Sequence, residues 1–233
     1  TSHSYTYNSG SAGVVNNQAS VVGTLASDST TTYSDTSGAN MLIYDRPLNV
    51  SFSKVFDQSV LGLPPATTAQ TDYPLITSTL TATNNTATDV PEIKISDPNP
   101  SVSGLGAYDY LNLYQITSTA LPDDLDTSDV TVDLTRYNSS TATTTTETIS
   151  FDAALALSST DLADVVGVTV HYGAEANLAD SSANLIATEA VAKLKLTYQL
   201  RATVRSTGAA TTTTDEVTNT AEAAIVSPGG TDA

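Results

Sequence analysis

Three polar residues stand where the surrounding pattern calls for apolar ones. Side chains alternate along a strand, so Val50, Phe52, Lys54 and Phe56 of Val50-Ser51-Phe52-Ser53-Lys54-Val55-Phe56 share one face. Ile93, Ile95 and Asp97 share a face before a Pro-rich turn, and Val217, Asn219, Ala221, Ala223 and Ile225 share one near the end. A base, an acid and an amide thus each interrupt an apolar row. Burying an unpaired charge is costly, so the three are expected to satisfy one another. An apolar setting lowers the pKa of a Lys amine and raises that of a carboxylic acid. Neutral Lys54 can then attack the side-chain carbonyl of Asn219, with protonated Asp97 polarising that carbonyl and moving protons. Ammonia leaves and an amide joins the first strand to the last. This is a self-directed, single-turnover step and not enzymatic turnover.

A plainer reading of the same residues stands beside it. Lys54 near a sheet edge can carry its amine to water along its aliphatic stem. Asp97, followed by Pro98 and Asn99, suits a turn. Asn219 can bond to backbone. Lys193 and Lys195 fall on the polar face of their strand and are poorer candidates for the crosslink.

Other residues offer less chemistry. Asp123, Asp124, Asp126 and Asp129 cluster in one loop and are weak candidates for calcium, which prefers several carboxylate oxygens. Their spacing fits no EF-hand, and a solvated acidic loop is the simpler expectation. His3 and His171 are far apart, with no metal-ligand spacing. His171 falls opposite the apolar row of its strand and is expected to face solvent. No nucleophile-elbow motif supports a Ser-His-Asp triad. Tyr108, Tyr110 and Tyr114 form the densest aromatic group, expected to pack the core or cap a sheet edge. Sequons begin at Asn49, Asn84 and Asn138, the last two in expected turns where a glycan would be accessible.

The elements that must hold these residues read as strands. From Ala190 to Val204, Leu194, Leu196, Tyr198, Leu200, Ala202 and Val204 alternate with Lys193, Lys195, Thr197, Gln199, Arg201 and Thr203. Leu80 and Ala82 alternate with Thr79, Thr81 and Thr83. Val130, Val132 and Leu134 form one further apolar row, and Val166, Val168, Val170 and Tyr172 form another. Pro64-Pro65, Asn84-Asn85, Asp97 to Pro100 and Gly104 to Gly106 punctuate them. Ser159 to Asp164 suits one capped helical turn before a strand at Val165. Many short strands predict an all-β, immunoglobulin-like β-sandwich.

Composition narrows the function. Eight basic groups against 25 acidic ones give a formal charge of −17, the wrong sign for nucleic acid or an anionic membrane surface. Only 14% of residues are charged, so uncharged Thr, Ser and Asn must cover much of the surface. Thr is β-branched, favours strands and meets water through its hydroxyl. With no Cys, neither a disulfide nor thiol chemistry is possible. No Trp, and aromatic residues at 6%, supply a sugar-stacking platform poorly. No apolar stretch reaches the length of a membrane span, and export and anchoring signals are expected outside the chain.

A short echo links the two ends. Val15-Asn16-Asn17-Gln18-Ala19 and Val217-Thr218-Asn219-Thr220-Ala221 are both V-x-N-x-A and both lead into apolar residues. Leu48 to Pro100 resembles the DUF11 family of immunoglobulin-like repeats of bacterial surface proteins. The resemblance rests on Val50 to Phe56, Leu80-Thr81-Ala82-Thr83-Asn84-Asn85 and Ile93-Lys94-Ile95-Ser96-Asp97-Pro98. The closing Val217 to Ala221 is similar to that family's last strand, and Asn17-Gln18-Ala19 to the same strand of a preceding repeat. The resemblance implies a stalk or spacer of a cell-surface adhesin, extracellular and in tandem with neighbouring repeats. The related collagen-adhesin stalk domains often carry a Lys–Asn or Lys–Asp isopeptide bond. The expected organisation is an N-terminal strand segment over 1–40, a sandwich domain over 41–227 with a long insertion around 101–208, and a linker over 228–233. Residues 1–40 would be the end of a preceding repeat or a donated strand. Two further functions remain open: a module binding a host or environmental ligand through its long middle region, and a fibre subunit donating residues 1–30 to the next copy. The expected cofactor set is empty, calcium aside.

Overall fold

The structure is a computed structural model. It describes residues 13–25, 28–43, 48–123, 125–174 and 184–225, the first two ranges by their backbone alone. The chain divides into two compact units, Thr1–Pro47 and Leu48–Ala233.

The first unit contains an antiparallel hairpin of β1 (Gly13–Leu25) and β2 (Asp28–Ile43), in register from Gly13 opposite Ile43 to Thr24 opposite Thr32. The segment boundary expected at residue 40 falls inside β2. The linker expected over 228–233 and the early residue His3 lie outside the described residues.

The second unit is a β-sandwich of two antiparallel sheets. Its strands are β3 (Val50–Phe56), β4 (Leu75–Asn84), β5 (Glu92–Asp97), β6 (Leu111–Ala120), β7 (Val130–Asn138), β8 (Thr143–Ser150), β9 (Val165–Gly173), β10 (Val191–Leu200) and β11 (Glu222–Ile225). One sheet has the order β3-β4-β10-β6 and the other β11-β5-β9-β7-β8. Alternation explains which side chains go inward. Leu80 and Ala82 of β4 and Leu194, Leu196 and Tyr198 of β10 meet Ile93 and Ile95 of β5, Val132 and Leu134 of β7, and Val168 and Val170 of β9 in one buried cluster. The intervening Thr, Ser and Lys residues face outward.

The long middle region is integral to this sandwich. It supplies β6 and β10 to the first sheet and β7, β8 and β9 to the second, so the insertion expected around 101–208 is core structure. A short helix α1 (Phe151–Leu155), not foreseen in the sequence, follows β8; the Ser150 hydroxyl caps it and Phe151 and Ala154 are buried. The capped turn expected at Ser159 starts one residue earlier, where Ser158 and Asp161 bond reciprocally. β10 stops at Leu200, four residues short of the alternation that predicted it.

For the site, the decisive feature is where the sheets end. β3 is an edge of the four-stranded sheet and β11 an edge of the five-stranded sheet. The two edges approach each other, closing one side of the sandwich.

Candidate crosslinking site

Lys54 is the fifth residue of β3, on the face shared with Phe52 and Phe56. Its amine does not run out to water. Nζ lies 2.7 Å from Oδ2 of Asp97, with the two side chains 9% and 1% exposed. Lys54 and Asp97 belong to different sheets, so the pair spans the sandwich interior. Nζ also sits 5.3 Å from the centroid of the Phe56 ring, a position favoured by the ring quadrupole.

Asp97 is the last residue of β5, and its peptide bond to Pro98 is cis. Alternation places it inward with Ile93 and Ile95. Two phenols hold it. The Tyr198 hydroxyl of β10 donates to Oδ2, and the Tyr108 hydroxyl donates to the Asp97 backbone carbonyl at 3.3 Å. The Tyr108 and Tyr198 rings meet edge to face with centroids 5.9 Å apart, and Phe56 packs tilted on Tyr198 at 6.4 Å. Three aromatic rings therefore enclose the ion pair.

Asn219 reaches the same place by another route. The strand expected from Val217 to Ile225 is shorter than the alternation suggests: β11 is only Glu222–Ile225, paired to β5 with Ala223 opposite Ile95. Residues 217–221 are irregular and mostly exposed. They remain tied to β5 through Asn99, whose N–H donates to the Thr220 carbonyl at 2.8 Å. The Asn219 amide is close enough to Asp97 to favour its carboxylate form. Yet Oδ1 and Nδ2 of Asn219 are buried without a well-formed hydrogen bond, as is Oδ1 of Asp97. Buried polar atoms are normally paired, so three orphans beside one another are exceptional.

The electrostatics follow from burial. Desolvation pushes the Asp97 carboxyl above the usual range, opposed by Lys54, Tyr198 and Asn219. Desolvation likewise lowers the Lys54 amine, opposed by Asp97. Both shifts favour moving one proton from lysine to the acid, leaving a neutral amine and a neutral carboxylic acid. Tyr198 and Tyr108 are pushed well above the ordinary phenol value by burial, so both remain donors.

The remaining candidates separate from this site. Asp126 and Asp129 form a capping box around a short 3₁₀ turn, Asp129 accepting from the Asp126 N–H at 2.9 Å. Asp123 is exposed and Asp124 lies outside the described residues. Among the described residues no group of three or more acidic or histidine side chains could hold a metal ion. Tyr108 is fully buried, as core packing predicts, whereas Tyr114 is 36% exposed. Lys193 and Lys195 face outward.

Two expectations are corrected. His171 does not simply face solvent. It lies on β9, in the middle of the five-stranded sheet, with Nδ1 2.6 Å from Glu92 Oε1 and Nε2 3.1 Å from Asp133 Oδ2. Asn84 is not an accessible glycan acceptor: it is fully buried and its amide donates to the carbonyls of Thr88, Ile186 and Ala187.

Sequence reasoning missed the aromatic partners of Asp97. Tyr198 sits in an apolar row where a phenol reads as packing, and only the cross-sheet geometry brings its hydroxyl to the acid. No protein-family model matches the chain, and no curated protein matches it.

Proposed function

We propose that this domain is a structural stalk or spacer of a cell-surface adhesin, an immunoglobulin-like sandwich locked by an intramolecular amide between Lys54 and Asn219. The observation that carries the proposal is the Asp97 carboxyl, paired with the buried Lys54 amine and close to the Asn219 side-chain amide, whose two polar atoms are buried without a well-formed hydrogen bond.

The chemistry is balanced within the chain. Lys54 passes one proton to Asp97, and neutral Nζ attacks Cγ of Asn219. Asp97 donates its proton to the Asn219 carbonyl oxygen as that carbon becomes tetrahedral. A proton from the attacking nitrogen then moves through Asp97 to Nδ2, the Cγ–Nδ2 bond breaks, ammonia leaves, and the oxygen returns its proton to Asp97 as the carbonyl re-forms. Lysine and asparagine become one secondary amide, and Asp97 is regenerated. Exclusion of water by Phe56, Tyr108 and Tyr198 favours the uncharged amine and the protonated acid over the ion pair.

The location suits load bearing. β3 opens the sandwich and β11 closes it, so a bond from Lys54 of β3 to the segment leading into β11 would tie together the first and last parts of the sandwich. It substitutes for the disulfides that a chain without Cys cannot make. Thr-rich outward faces and a charge of −17 fit an exported, solvated surface and not nucleic acid. Among the described residues no helix is long and apolar enough to cross a membrane. Neighbouring repeats of the same protein are the expected partners. The test is mobility under denaturing conditions: wild type should migrate faster than Lys54→Ala and Asn219→Ala, which should behave alike as open chains. Equal mobility of all three contradicts the lock.

A second reading is favoured by the β1–β2 hairpin. A two-stranded ribbon is marginal in water by itself, and among the described residues no third strand pairs with it. A fibre subunit that offers β1 to another copy would account for this. Deleting residues 1–47 should then abolish self-association seen by light scattering; unchanged assembly would dismiss it.

A further inference from the structure

The Asp97 carboxyl has two oxygens in different circumstances. Oδ2 accepts from the Tyr198 hydroxyl and lies against the Lys54 amine, whereas Oδ1 is buried and without a partner. The phenol itself is well fixed. Its ring packs between Phe56 and Tyr108, its residue is fully buried, and its oxygen lies 3.5 Å from the Ser78 hydroxyl.

We infer that Tyr198 is a positioning residue for the Lys54–Asn219 reaction: by donating to Oδ2 it leaves Oδ1 as the oxygen that carries the acidic proton toward the Asn219 amide. This rests on the crosslinking function proposed above. A carboxylic acid has one proton, and an oxygen already accepting a phenol hydrogen bond is the poorer place for it. The protonated oxygen is then Oδ1, and the orphaned amide of Asn219 is the acceptor without a competitor. Without the phenol, the proton can sit on Oδ2, facing Lys54, where it cannot polarise the carbonyl that lysine attacks. Orientation of this kind governs how well a general acid works. Burial keeps Tyr198 a phenol, so it serves as donor throughout.

Tyr108 provides the matched control. It is an equally buried phenol in the same cluster, but its hydroxyl meets the backbone carbonyl of Asp97 and not the carboxyl.

The experiment is a time course of ammonia loss in full-length chains made by cell-free synthesis, quenched in acid and weighed by mass spectrometry. It compares wild type, Tyr198→Phe and Tyr108→Phe across pH. Tyr198→Phe should slow bond formation at least about tenfold more than Tyr108→Phe, which loses a contact to the backbone of Asp97 and none to its carboxyl. The groups facing Asp97 are Lys54, Tyr198, Tyr108 and Asn219, and of these Tyr198 helps hold the carboxylate form. Removing it should shift the alkaline fall in rate to higher pH, a change that loosened packing alone would not produce. Equal rates for wild type and Tyr198→Phe, or equal slowing in both variants with an unmoved pH profile, would overturn the inference while leaving the crosslink intact. A wild-type chain that never loses ammonia would instead remove the crosslinking proposal, and this inference with it. Should Tyr198→Phe not fold, Tyr198→His keeps a ring-borne donor in that slot, and its failure to form the bond in a folded protein would also overturn the assignment.

Discussion

Lys54 and Asp97 form a 2.7 Å ion pair between two different sheets, with almost no access to solvent. A buried pair of this sort seldom adds net stability over apolar packing, because removing two charges from water costs about as much as their attraction returns. On the crosslinking proposal its worth is chemical: the pair holds, beside an amide without a well-formed hydrogen bond, the amine and the acid that a condensation requires.

Removing one member should therefore hurt more than the pair itself helps. Asp97→Ala leaves the Lys54 amine buried without its counter-ion, an arrangement that typically costs about 3–5 kcal/mol. The expected result is a large fall in denaturation midpoint and no ammonia loss. Lys54→Met should be milder, since Asp97 can accept a proton and stay neutral. Urea denaturation of both variants, each compared with Asn219→Ala as an uncrosslinked reference, checks the order.

Mechanical extension reports where the bond lies. A bond between Lys54 and Asn219 would put every residue between them inside a closed loop, so pulling on the ends should leave that stretch folded or unextended. At roughly 3.5 Å per residue, on the order of 50 nm of contour should be withheld in wild type and released in Asn219→Ala. Closing so long a loop also constrains the unfolded chain, by roughly 5 kcal/mol on the entropy model. Single-molecule force spectroscopy reads the first quantity directly; a full-length extension of wild type would contradict the bond.

His171 makes a separate forecast for pH. Its hydrogen bond to Glu92 raises its pKa above the ordinary value, burial opposes this, and the Glu92 and Asp133 charges and the bond to Asp133 add to the rise. A group whose folded pKa is raised contributes fully below its unfolded value, near 6.5, and loses that contribution as pH rises through the folded value. The three residues come from β9, β5 and β7, so protonated His171 clamps neighbouring strands. Wild type should lose thermal stability above about pH 6.5 more steeply than His171→Gln. Parallel melting-temperature profiles would dismiss the clamp.

Gly173 closes β9 with φ of +79°, and a Cβ there would stand 2.2 Å from the Pro91 carbonyl oxygen. The obstacle is backbone and cannot swing aside. Gly173→Ala should cost well over 1 kcal/mol, seen as a lowered midpoint with no effect on whether the crosslink forms in the chains that fold.

Much of this architecture is legible in the sequence because alternation is a local signal. The inward rows of β4, β7, β9 and β10 follow from period two alone, and so does the inward slot of Lys54. What alternation cannot convey is which strand lies alongside. His171 looks exposed by its own strand's pattern, yet Glu92 and Asp133 flank it only because β5 and β7 pair on either side of β9. The strand that would turn Asn219 inward does not extend to it: its segment is irregular, and a backbone bond from Asn99 to Thr220 holds it beside β5. Asn84-Asn85 reads as a turn, but Asn84 turns inward to bond three carbonyls.

The most direct test of the account is the intact mass of the purified chain beside Lys54→Ala and Asn219→Ala. The predicted result is a wild-type mass lower than the sequence requires by one ammonia, with both variants at their calculated masses. A wild-type mass equal to the sequence mass would contradict the crosslink and leave Lys54, Asp97 and Asn219 as a buried polar cluster of purely structural role.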